Sequence, residues 1–129
     1  MKYSVEKEEQ YTVFTLSEEK LDSTLAPDLK SELVTLQAEG TKNLILNMGE
    51  VKYSDSSGLS ALLVGNRVFQ ETGGIFIIVK LTDHVEKLIK ISQLDNVLEI
   101  LPTVEEGVDR VFMHELESDF ANGEEGDAE

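Results

Sequence analysis

The stretch Asn43-Leu44-Ile45-Leu46-Asn47-Met48-Gly49-Glu50-Val51-Lys52-Tyr53-Ser54-Asp55-Ser56-Ser57-Gly58-Leu59 decides the fold. Its first six residues are a short apolar run, as expected of a strand buried on both faces. Its last five place a carboxylate, two hydroxyls and a glycine directly ahead of a long apolar-periodic segment. That is the pattern of a helix N-terminus. The stretch therefore predicts a strand, a loop and a helix in succession.

Outward from it the same alternation continues. The helix is expected from about Ser57 to Glu71, ended by Gly73-Gly74. Ile75-Phe76-Ile77-Ile78-Val79 follows, β-branched and aromatic without a polar residue, and reads as a second buried strand. A helix over Asp83 to Ser92, a short strand over Val97 to Leu101 and a helix over Val104 to Leu116 complete this half. Toward the N-terminus, Tyr3 to Lys7 and Tyr11 to Leu16 read as a hairpin around Glu8-Glu9-Gln10. Leu21-Asp22-Ser23-Thr24-Leu25-Ala26-Pro27 offers side-chain oxygens for a cap and a proline for the first helical turn. That helix should carry Leu29, Leu33 and Leu36 on one stripe and stop at Gly40. The order β-β-α-β-α-β-α-β-α defines a single α/β domain. Its sheet is mixed but mostly parallel, with right-handed crossovers and flanking helices.

Composition narrows the function. The 129 residues include 26 acidic and 11 basic side chains, for a net charge of −15. Phosphate contacts need Lys and Arg, so neither nucleic acid nor an anionic membrane surface is an expected partner. Cysteine is absent, which excludes disulfides, thiolate zinc sites and thiol nucleophiles. The two histidines, His84 and His114, lie far apart in sequence and do not suggest a metal site. No cofactor motif is present, and none is expected. No apolar run approaches the roughly 20 residues of a membrane span, and Met1 to Glu6 has no apolar signal core. The expectation is a soluble, cytoplasmic protein. From Glu117 onward the sequence is acidic and poor in apolar residues, so residues 117–129 are expected to form a disordered tail beside a body of residues 1–116.

Chemistry concentrates in one loop. Ser54, Asp55, Ser56 and Ser57 put three hydroxyls and a carboxylate within four residues. One reading is a cap, with Asp55 or Ser56 accepting from the free amides of the first turn. A serine at a helix start is also a place where phosphate is tolerated, because free amides and the helix dipole favour negative charge. The following helix is apolar on two sides: Leu59, Leu62, Leu63 and Phe69 near one face, Ala61, Val64, Gly65 and Val68 near another. It is either deeply buried or it docks a partner.

Enzymatic readings fit poorly. The nucleophile-elbow pattern G-x-S-x-G lacks its first glycine here, and there is no G-x-x-x-x-G-K-[ST] string for a nucleoside triphosphate. A phosphoaspartate receiver would place its acceptor at Asp55. It would then need its acidic partners after the first strand, whereas Glu18 and Glu19 follow the second.

Asp55-Ser56-Ser57-Gly58-Leu59, after an apolar strand and a loop, resembles the signature of the STAS family, and most of all its bacterial anti-sigma factor antagonists. Leu21-Asp22-Ser23-Thr24-Leu25-Ala26 is similar to the family's segment before its first helix, and Gly73-Gly74 to the exit of its second. The likeness spans Tyr3 to Phe112. Glu19-Lys20 stands where the family often has Gly-Glu.

The resemblance implies a partner switch. The unphosphorylated protein binds an anti-sigma factor that is also a serine kinase of the ATPase-kinase type, and so frees a sigma factor for transcription. Phosphorylation of the serine after the aspartate, Ser56 here, releases the complex, and a serine phosphatase restores binding. By the same resemblance Asp22, Ser23, Asp55, Ser57, Gly58, Leu59, Leu62 and Leu63 fall on the docking surface. The alternative within the family is an adaptor subunit of a lipid-transport or stress-signalling complex, with no phospho-switch. No catalytic residue is expected.

Overall fold

The computed structural model describes the backbone of residues 1–127 and the side chains of residues 1–121. The β-branched and aromatic runs form the strands. β1 (Tyr3–Lys7) pairs antiparallel with β2 (Thr12–Leu16), and β2, β4 (Leu44–Asn47), β6 (Phe76–Val79) and β7 (Glu99–Leu101) are parallel in the order β1-β2-β4-β6-β7. The helices are α1 (Ala26–Ala38), α2 (Ser56–Glu71), α3 (Asp83–Ile91) and α4 (Val104–Asp127). β3 (Lys20–Leu21) and β5 (Tyr53–Ser54) make a separate two-stranded parallel sheet.

Side chains alternate along each central strand, and the two faces meet different helices. Phe14, Leu16, Leu44, Leu46, Phe76 and Ile78 share one core with Leu29, Leu33 and Leu36 of α1, with Leu59, Leu62 and Phe69 of α2, and with Val85 and Ile89 of α3. Val13, Ile45, Ile77 and Val79 point the other way, where Val111 of α4 joins them. Gly65 allows α2 to lie close against this sheet. A methyl there would be 2.8 Å from the Phe76 ring and 3.0 Å from Leu33 Cδ1.

Two expectations change. Helix α1 has Leu25 as its N-cap and no side-chain cap. Asp22 instead accepts from Leu25 N and Ala26 N through its carbonyl, at 3.1 and 2.8 Å, and so turns the chain one step earlier. Helix α4 continues past Leu116 to Asp127, because neither proline nor glycine interrupts residues 108–122. Only the end of the helix changes: Leu116 and Phe120 are 63% and 68% exposed, so this stretch joins no core, which fits the expected tail. Residues 128–129 lie outside the described residues.

Candidate functional site

The site is built where the small β3–β5 sheet joins two loops. Lys20 pairs with Tyr53 and Leu21 with Ser54. Lys52 N and Tyr53 N both donate to Glu19 O, at 2.8 and 3.1 Å. Ser54 is buried, and its Oγ donates to Leu21 O at 2.9 Å. Gly58 closes over this bond. A side chain there would overlap both Ser54 Oγ and the Leu21 carbonyl. The result is that the Asp22 turn and the Ser56 loop, more than thirty residues apart in sequence, are held as one unit. Thr82 Oγ1, at the start of α3, donates to Val51 O at 2.7 Å and fixes the far side of the loop.

Asp55 caps α2. Its Oδ1 accepts from Ser57 N at 2.9 Å and from Gly58 N at 3.1 Å. Of the two caps the sequence left open, Asp55 is the one used. The two amides that a phosphate at this helix start would be expected to use are therefore already taken by a carboxylate. Ser56, the first residue of α2, is exposed.

Asp22 is half-buried, and its Oδ1 accepts from the Thr24 hydroxyl at 2.5 Å and from Thr24 N at 3.0 Å. The Thr24 hydroxyl, more than any other neighbour, holds the Asp22 carboxyl below its ordinary value. It is an anion, one turn of chain from the loop that carries Ser56. Between the first turns of α1 and α2 lies a recess of about 270 Å³ lined by Ser23, Ala26, Pro27, Lys30, Ser56, Ser57 and Ser60.

The expected docking residues divide. Ser56 and Ser23 are exposed, while Asp22, Asp55, Ser57 and Leu63 are half-buried at the surface. Leu59 and Leu62 are 6% and 0% exposed, and both belong to the core under α1. Gly58 is buried as well. These three support the surface from beneath and offer no side chain to a partner, which corrects their reading as contacts. The reason is that α1 and the sheet cover α2 on two sides, which buries Leu59, Leu62 and Phe69 and leaves Leu63, Val64 and Val68 half-buried.

Ser54 counts among the loop hydroxyls in the sequence but its buried bond to Leu21 O is not legible there, and Lys30 and Ser60 carry no sequence expectation. Lys30 had a legible signal: it falls four residues after Ala26, on the same face of the helix. Tyr53 is 45% exposed and stacks on His84 at 5.8 Å. His84 otherwise sits at the surface, and His114 Nε2 lies 3.0 Å from Gly73 O, remote from the loop. Among the described residues no three His, Asp or Glu side chains come together as metal ligands, and no helix is long and apolar enough to cross a membrane.

The sheet order and the hydroxyl-bearing loop beyond the carboxyl end of β4 define a small open-sheet α/β domain. The STAS domain model matches residues 2–107. The chain belongs to the STAS domain family. It is 24% identical over 81 residues to the anti-sigma-B factor antagonist of Staphylococcus aureus, across 63% of this chain and 75% of that one. Its fold is similar to that of the anti-sigma factor antagonist SpoIIAA in its unphosphorylated form. The TM-score is 0.72 at 23% identity, covering 85% of this chain and 96% of that one. The Bacillus cell fate determinant SpoIIAA in its phosphorylated form superposes with a TM-score of 0.65 at 23% identity, covering 85% and 99% of the two chains.

Proposed function

We propose that this protein is an anti-sigma factor antagonist whose docking surface is switched by phosphorylation of Ser56. The observation that carries the reading is the exposure of Ser56 on a surface that the β3–β5 sheet makes continuous with the Asp22 turn. In the unphosphorylated state Asp22, Ser23, Asp55, Ser57 and Leu63 present hydroxyls, carboxylates and a modest apolar area to an anti-sigma factor with serine kinase activity. Phosphate on Ser56 adds about −1.5 to −2 charge next to Asp55. Against a net charge of −15 the global change is small, so the effect is local. Like charges at about 4 Å cost on the order of 1 to 4 kcal/mol per pair, depending on how far the interface excludes water. A serine phosphatase would reverse the step. The chain acts as a regulator in the cytoplasm and not as an enzyme, and residues 117–129 act as an acidic appendage to a body of residues 1–116.

The test is affinity capture from cells of the source organism with wild-type, Ser56→Ala and Ser56→Asp baits. An ATP-dependent kinase should be recovered by the first two and lost with the third. When purified it should phosphorylate the wild type at Ser56 and leave Ser56→Ala unmodified. Equal recovery by all three baits, with no kinase acting on Ser56, would refute the switch and favour the adaptor reading.

A further inference from the structure

We propose that Lys30 of α1 is the built-in counter-charge for the phosphorylated form of Ser56. The inference rests on the reading of Ser56 as phosphoacceptor and names how this fold holds the phosphate. The helix start is already partly occupied. Asp55 Oδ1 already accepts from Ser57 N and Gly58 N, so a phosphate on Ser56 meets two occupied amides and the carboxylate that occupies them. Asp22 adds a second carboxylate on the adjoining turn. A dianion placed there needs a cation from another element.

The recess that Ser56 faces has one. Of its lining residues Lys30 alone is charged. The others are Ser23, Ser57 and Ser60, whose hydroxyls can donate to phosphate oxygens, Ser56 itself, and the apolar Ala26 and Pro27. Lys30 is half-buried and lines the recess. Among the described residues no carboxylate pairs with its ammonium, although seven other ion pairs form in this acidic chain. A volume of about 270 Å³ accommodates a phosphoryl group. Lys30 thus draws the phosphate into the groove between α1 and α2.

Phosphoserine installed at position 56 during translation, in the full chain, allows a direct test. The second ionisation of its phosphate is followed by 31P NMR in wild type, Lys30→Gln and Lys52→Gln backgrounds. Lys52 is an equal charge that pairs with Glu19 outside the recess. The expected result is a midpoint lower by about 0.5 to 1 unit in wild type than in Lys30→Gln, with Lys52→Gln matching wild type. A Lys30→Gln curve that superposes on wild type, or an equal shift in Lys52→Gln, overturns the proposal. So does a phosphorylated chain that no longer folds. A Ser56 that no kinase modifies would remove the proposed function and leave this titration untouched, since the phosphate is introduced without a kinase.

Discussion

Gly58→Ala is the substitution that most sharply probes how the site is held together. Gly58 is the third residue of α2 and is buried. In an ordinary helix the change to alanine is favourable by up to about 1 kcal/mol. Here the added methyl overlaps Ser54 Oγ and the Leu21 carbonyl oxygen and comes within 3.0 Å of Leu21 Cγ. The hydroxyl can rotate away, at the cost of its bond to Leu21 O, about 1 kcal/mol. The carbonyl belongs to β3 and moves only if β3 moves from β5. Overpacking of this kind costs about 1 to 3 kcal/mol. Setting the helix gain against both losses leaves a net destabilisation of about 1 to 3 kcal/mol.

Urea unfolding followed by circular dichroism measures it, and amide shifts of Asp22 to Thr24 report whether the turn is displaced. Adding Ser54→Ala to Gly58→Ala removes the hydroxyl and leaves the carbonyl in place. The double variant should therefore stay less stable than wild type. A Gly58→Ala protein as stable as wild type, with the Asp22 turn unmoved, would refute the argument that this glycine locks two loops together.

Other outcomes follow from single contacts. Asp55→Ala should cost about 1 kcal/mol through loss of the α2 cap, and Asp55→Asn much less, by thermal or urea unfolding. Asn43 is buried, with Nδ2 donating to Gln10 O at 2.9 Å and to Glu115 Oε1 at 2.8 Å, and Oδ1 accepting from Ile75 N at 3.2 Å. Asn43→Leu strands these partners and should destabilise by about 2 to 3 kcal/mol. The Asn43 amide, followed by Lys42, holds the Glu115 carboxyl below its ordinary value of 4.5. A depressed folded-state value means that its stabilisation is complete above the unfolded value and is lost as pH falls through the folded one. Wild type should accordingly lose more stability than Glu115→Gln between about pH 5 and pH 3, measured by urea unfolding at each pH.

The main sheet and four helices were legible because each carries a periodic or continuous apolar signal long enough to read. Phe76 to Val79 and the Leu29, Leu33, Leu36 stripe are of this kind. β3 and β5 were not legible. Two residues have no periodicity, and their pairing depends on a buried serine and a glycine that fit only once the chain is folded. The Ser56 loop stood out by composition, whereas the direction of Leu59 and Leu62 did not. A helix apolar on two sides looks the same in sequence whether its second face meets a neighbouring helix or a partner, and here α1 covers it. The end of α4 was not legible for a different reason: the apolar periodicity stops at Leu116, where the acidic tail begins, and gives no signal for where the helical backbone ends.

The central claim is that phosphate on Ser56 closes the docking surface. Its most direct test is the equilibrium affinity of the captured kinase, with its nucleotide, for the full chain carrying serine or phosphoserine at position 56. A local cost of at least about 1.4 kcal/mol corresponds to a tenfold weaker complex. We predict a loss of tenfold or more with phosphoserine and none with Ser56→Ala. Equal affinity of the serine and phosphoserine forms would contradict the account.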